Sequence, residues 1–330
     1  MSTKSAVTAP EPPGPDFGEI VTRKPVPELD IQFSWSDGVW RDLFDKNVTL
    51  IQQDIKRARA EDRHVIYLSC PISSRGGSFF GTNVDIALHI QNRLLREWGE
   101  SFWILNPAQY QMQSKEGVGL LDRHARELAR EKGIPPFDVK NLRQPEGGDY
   151  MRMWTRVLAE DEAGDNAFIQ TDEKGKMSIA RNEDLMNAGG RFDAFYFVGP
   201  SDVRDFFNQG GDANLTSSIE AYFTRKYAMD RQFFDFFNQP DPELWRKLRT
   251  DFFRYYGVRA STSFSSGSHD EWNIWRLQNE RRLKVLGMGA QIPGFFDGRQ
   301  IPIGPCETPA SPGYAAPSAP PNRCVQEIAK

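Results

Sequence analysis

The strongest constraint on the fold is the run His64-Val65-Ile66-Tyr67-Leu68-Ser69-Cys70, which is nearly continuous in apolar residues and stops abruptly at a polar loop. A strand with apolar side chains on both faces needs cover on both faces, which a parallel sheet flanked by helices provides. The run ends in Pro71-Ile72-Ser73-Ser74-Arg75-Gly76-Gly77-Ser78. A helix is expected from about Asn83, with Ile86, Ile90, Leu94 and Trp98 as its buried stripe and Gly99 as its stop. Ser101-Phe102-Trp103-Ile104-Leu105 reads as the next strand, so the four pieces make a βαβ unit with a right-handed crossover. The expected class is α/β: an open, mostly parallel, doubly wound sheet, Rossmann-like or flavodoxin-like, with helical additions.

Upstream, Gly38 to Ala60 reads as a helix with Trp40, Leu43, Phe44, Val48 and Ile51 at helical spacing. Downstream, a helix is expected around Leu120 to Lys132, another from Tyr150 to Leu158, and a hairpin over Ala167 to Ile179 turning at Glu173-Lys174-Gly175. Phe192 to Val198 is a second buried strand, and after a loop a helix begins near Thr216 with Ile219, Tyr222, Phe223 and Tyr227 on one face. The remainder to Leu286 reads as mostly helical, with a strand at Val258 to Phe264. Residues 1–28 are expected to form a disordered Pro-rich N-terminus and 291–330 a Pro-rich extended tail. Between them, 29–290 is read as a single α/β domain with insertions at 113–148 and 165–190 and a helical C-terminal part.

In a chain of 330 residues, 39% hydrophobic and 12% aromatic content suffices for a sizeable core. A net charge of −4 with no long basic block argues against a nucleic-acid surface and for a small-molecule partner. No run of about 18 uncharged apolar residues occurs and the N-terminus lacks an apolar signal stretch, so no membrane association and a cytoplasmic location are expected. Cys70, Cys306 and Cys324 form no C-x-x-C pair, and His64, His89, His124 and His269 lack metal spacing. No metal and no cofactor is implied.

In open α/β sheets ligands bind outside the carboxyl ends of the strands. That rule singles out the loop after Cys70 and the stretch after Val198. In the first, hydroxyls, Arg75 and two glycines let backbone amides approach a phosphate or sugar hydroxyl, although a surface turn needing glycine reads equally well. The second stretch carries Asp202, Gly210, Gly211, Asp212, Asn214, Thr216, Ser217 and Glu220. Glu220 sits near the positive end of a helix dipole, which favours an ionised carboxylate, but Ser217-Ser218-Ile219-Glu220 also fits a capping box. Asp149 reads either as an N-cap or as a carboxyl reaching the ligand. Ser268-His269-Asp270 cannot form a triad as sequence neighbours and reads as a helix N-cap. Phe233, Phe234, Phe236 and Phe237 read as core or, if exposed, as a subunit interface.

The strand Val65 to Cys70 ending in Pro71-Ile72, the helix-opening Thr82-Asn83, the strand Phe192 to Val198, the Asp beyond it and Ser217-x-x-Glu220-Ala221-Tyr222 together resemble the nucleoside 2-deoxyribosyltransferase-like families. The resemblance covers about half the chain. It implies hydrolysis or transfer at the N-glycosidic bond of a nucleoside or nucleoside 5′-monophosphate. It also implies Glu220 as the nucleophilic glutamate, Asp202 as the acid near the sugar and Asp149 as the base-contacting carboxyl. Pro71, Ile72, Ser73, Arg75, Gly76, Gly77, Asn83 and Tyr222 are then the substrate-binding set, with Arg75 suited to a 5′-phosphate. The chain departs from the pattern in the stretch Gln113 to Gly148, in the long spacing from Asp202 to Glu220, and after Tyr227, where Met229-Asp230-Arg231-Gln232 stands in place of an apolar strand. Gly210-Gly211-x-x-x-x-Thr216-x-x-x-Glu220 loosely resembles the Gly-Gly-x-Gly-Thr-x-x-Glu loop of cytokinin-activating phosphoribohydrolases, with different spacing. The competing class is a non-enzymatic nucleotide-binding or protein-interaction module, in which Glu220 is only a cap. Whether the chain forms a homo-oligomer that completes the site is left open.

Overall fold

The computed structural model describes residues 20–26, 31–72, 78–112, 115–138, 145–159, 170–171, 177–178, 192–208, 214–229, 242–286 and 291–301. Its strands in chain order are β1 (Ile20–Val26), β2 (Ile31–Ser36), β3 (His64–Ser69), β4 (Phe102–Leu105), β5 (Gln170–Thr171), β6 (Met177–Ser178), β7 (Ala194–Phe197), β8 (Gly294–Phe296) and β9 (Arg299–Gln300). The helices are α1 (Val39–Ala60), α2 (Phe80–Trp98), α3 (Lys115–Lys132), α4 (Gly147–Ala159), α5 (Pro200–Phe207), α6 (Leu215–Met229), α7 (Pro242–Arg254) and α8 (Ser266–Leu286). The described residues are mostly helical around a small mixed sheet in the order β4-β3-β7-β8-β9, parallel except for the last pair. The pairs β1/β2 and β5/β6 are antiparallel and separate from it. No described helix is long and apolar enough to cross a membrane.

Both faces of the sheet are buried, as the unbroken apolar runs demand. Val65, Tyr67, Phe195 and Phe197 point into one core with α1, α3, α4 and α8, whereas Ile66, Leu68, Ala194 and Tyr196 point into another with α2, α5, α6 and α7. Alternation along a pleated strand produces this division. Helix α1 contributes Trp40, Leu43, Phe44, Val48, Ile51 and Ile55 at intervals of three and four, a stripe wide enough to seal its side of the sheet.

Three boundaries differ from expectation. The sheet extends beyond residue 290, since Phe195 pairs with Gly294 and Phe197 with Phe296. Helix α8 anchors this strand: Trp275 Nε1 donates to the Ile292 carbonyl at 2.9 Å, and Asn279 Oδ1 accepts from the Ile292 amide at 2.7 Å. The Trp275 indole lies so close to Gly294 that a Cβ there would approach its Cζ2 at 2.6 Å. Residues before 29 also contribute, because Ile20–Val26 pairs with β2. The segment Val258 to Phe264 is not a strand. Tyr255–Arg259 is a π-helical turn closed by Ala260 N–H donating to Tyr255 O at 3.0 Å, and Thr262–Phe264 is a short 3-10 turn. The expected aromatic cluster Phe233 to Phe237 lies outside the described residues.

Candidate functional site

A cavity of about 310 Å³ opens beyond the carboxyl ends of β3 and β4. Its walls come from Cys70, Pro71 and Ile72 after β3, Pro107 and Gln111 after β4, Phe80 of α2, and Gly147, Tyr150, Met151 and Trp154 of α4. Tyr255, Phe264 and the start of α8, Ser265 to Ser268 with Glu271, complete it. This is where an open α/β sheet leaves a crevice for ligands. Helix α4 is held in place by Asp149, whose carboxylate accepts from the Ser36 amide, the Ser36 hydroxyl at 3.1 Å and the Glu146 amide at 2.8 Å. Gly148 lets β2 come this close, since a Cβ there would collide with the Ser34 carbonyl oxygen.

Glu271 is the ionisable group that distinguishes the cavity. It is 5% exposed, and its two oxygens accept hydrogen bonds from the Tyr67 hydroxyl at 2.7 Å and from the Ser69 hydroxyl. Burial pushes its pKa up to about 8 against the opposing pull of the Ser69 and Tyr67 hydrogen bonds, with Asp270 adding to the rise. Burial thus favours the protonated form of the carboxyl at neutral pH. Burial also raises the Tyr67 hydroxyl and the Cys70 thiol, each further disfavoured as an anion by Glu271.

Helix α8 presents this group through its register. Trp272, Ile274 and Trp275 enter the core beneath the sheet, which turns the Gly267, Ser268 and Glu271 face toward the cavity. The Ser265 hydroxyl accepts from the Ser268 amide at 3.3 Å and caps the helix, so the N-cap is Ser265 and not the Ser268 expected from sequence. Ser268 is 2% exposed and lines the cavity. The first-turn amides of a helix have no intrahelical acceptor, so with the Ser268 amide taken by the cap, those of Ser266 and Gly267 are donors at the cavity wall. Among the described residues, no group of three or more His, Cys, Asp or Glu is arranged to hold a metal ion.

Comparison with protein-family models, with curated proteins and with solved structures found no match.

Of the residues singled out from sequence, Pro71 and Ile72 line the cavity. Ser73, Arg75, Gly76 and Gly77 lie outside the described residues. The other candidates occupy different places. Glu220 is on the surface of α6, paired with Arg249 of α7. Its proposed capping partner Ser217 is exposed inside the helix, and Asn214 is the cap, accepting from the Thr216 amide at 2.9 Å. Asp202 is buried against α2, where it accepts from Arg93, from the Tyr196 hydroxyl at 2.8 Å and from the Gly199 amide at 2.9 Å. With its acceptor positions filled, Asp202 is a structural carboxylate at the start of α5, as Asp149 is at the start of α4. Asn83 and Tyr222 are buried between helices: Asn83 holds the Ile72 carbonyl, and Tyr222 donates to Asp85 at 2.6 Å. The three carboxylates assigned to the site are thus engaged elsewhere, and Glu271 stands where they were expected. Its signal was present as Ser268-x-x-Glu271, the same spacing as Ser217-x-x-Glu220.

Proposed function

We propose that this chain acts on the N-glycosidic bond of a nucleoside 5′-monophosphate, with Glu271 in place of Glu220 as the reacting carboxyl. The observation that carries the reading is Glu271 itself: a buried carboxyl held by Tyr67 and Ser69 at the wall of a cavity flanked by aromatic and proline side chains. Tyr150, Trp154 and Phe80 offer flat apolar surfaces for a base. The opening of α8, with the Ser268 hydroxyl, suits a phosphate, because first-turn amides and the helix dipole both favour an anion. Four residues separate Gly267 from Glu271, a rise of about 6 Å along the helix. That span suits a phosphate at the helix start and a sugar with its anomeric carbon beside Glu271.

Cleavage follows from these groups. The Glu271 carboxyl gives its proton to the departing base as the bond to the anomeric carbon breaks, and the base leaves neutral. The carboxylate left behind faces the oxocarbenium-like carbon and stabilises its positive charge until water attacks; the attacking water gives up a proton to the carboxylate, which restores the acid. Tyr67 and Ser69 hold the anion through the same two hydrogen bonds. The strand order and the helices on both faces also support a doubly wound arrangement.

The test is free-base release from ribo- and deoxyribonucleosides and their 5′-monophosphates. Release is expected from a monophosphate, to be abolished by Glu271→Gln and retained by Glu220→Gln. Loss with Glu220→Gln and retention with Glu271→Gln would reverse the assignment. Binding without release from any substrate would make the chain a nucleotide-binding module.

A further inference from the structure

Helix α7 ends in the π-helical turn Tyr255–Arg259, whose wider i to i+5 closure inserts an extra residue into the turn. Consecutive tyrosines are both buried there. Tyr255 lines the cavity, and its hydroxyl is hydrogen-bonded to Ser78. Tyr256 enters the core beside α2, where its hydroxyl accepts from the Phe79 amide at 3.0 Å and donates to Asn83 Oδ1 at 2.8 Å, with the Phe79 carbonyl also at 3.0 Å. Asn83 in turn donates through Nδ2 to the Ile72 carbonyl at 3.3 Å. The tyrosine pair therefore reaches Ile72 on one side of residues 73–77 and Ser78–Phe79 on the other.

We propose that Tyr255 and Tyr256 are positioning residues for the cavity: the π-helical turn places both against Ser78–Phe79, just ahead of α2, and Asn83 carries the link on to Ile72, which sets the spacing between the Ile72 and Phe80 walls. Neither tyrosine has a chemical step of its own.

The consequence for ligand binding rests on the function proposed above, and two measurements keep the two ideas apart. Hydrogen exchange needs no ligand: Tyr256→Phe, which keeps the ring, is expected to speed exchange in 70–72 and 78–83 while leaving α8 as in the wild type. Unchanged exchange at Phe79 and Asn83 overturns the inference. Calorimetric titration with the adenine, guanine, cytosine and uracil ribo- and deoxyribonucleoside 5′-monophosphates reads the cavity. Tyr256→Phe and Asn83→Ala are each expected to raise Kd about tenfold, and the double variant no further, because both cut one chain of contacts. A lowered melting temperature with unchanged Kd makes Tyr256 an ordinary core residue and overturns the inference. Wild-type protein that binds none of these nucleotides sinks the functional reading and leaves exchange as the deciding measurement.

Discussion

The Tyr67 hydroxyl, on the interior strand β3, donates to Glu271 Oε1 at 2.7 Å and so joins two residues 204 positions apart. A tyrosine hydroxyl with no water around it needs an acceptor, and a buried carboxyl needs donors; each supplies what the other lacks.

Removing that donor shifts the titration of Glu271. The Tyr67 and Ser69 hydrogen bonds both lower its pKa, so Tyr67→Phe and Ser69→Ala are each expected to move it further above about 8. A proton donor must be protonated, so base release should hold steady below pH 8 and fall tenfold per unit above it, with the fall displaced upward in both variants. A pH–rate profile measures this. A rate that climbs through pH 8 instead would assign the ionised carboxylate as the attacking group.

The same carboxyl links stability to pH. Its folded pKa lies above the unfolded value, so its contribution is fully present below the unfolded pKa and is lost as pH rises from about 4.5 to about 8. Glu271→Gln removes the charge while keeping an acceptor. The variant is expected to be more stable than the wild type at pH 8.5, on the order of a few kcal/mol, with a much smaller difference near pH 5. Urea unfolding at both pH values checks it.

His124 acts in the opposite sense. It is buried on α3, and burial lowers its pKa against the raising effect of Glu127, with Lys46 and Arg123 lowering it further. Stability linked to the neutral ring is present above the unfolded value of about 6.5 and is lost as pH falls toward the depressed folded value. His124→Phe should therefore flatten the loss of unfolding free energy between pH 7 and pH 5.

Asp149→Ala should cost stability, because it strips the Ser36 amide, the Ser36 hydroxyl and the Glu146 amide of one shared acceptor. The expected loss is about 2 to 4 kcal/mol by chemical denaturation. Glu220→Gln breaks a half-exposed ion pair with Arg249 and should cost less than about 1 kcal/mol.

Local pattern was enough to place most of the core. The apolar runs at 65–70 and 192–198 contain strands, and the stripes of α1, α2 and α6 fall on buried residues except at Trp98 and Tyr227, which are only partly buried. Strand β8 escaped notice because Gly-Phe-Phe is too short to show alternation, and it becomes a strand only where Trp275 and Asn279 hold Ile292 beside β7. The carboxylates misled for a related reason. Asp149 and Asp202 stand in the first turns of α4 and α5, where the helix dipole favours an acid whatever it faces, and Glu220 and Glu271 both stand one turn further into α6 and α8.

By itself, the sequence determined the periodic elements and the burial of β3 and β7 on both faces, because hydrophobic period acts over a few residues, and it carries Ser-x-x-Glu early in two helices. Only the tertiary structure decided which of those two glutamates meets a cavity. That depends on Tyr67 and Ser69 lying across from α8 in space, and desolvation by distant neighbours leaves no mark on the local pattern.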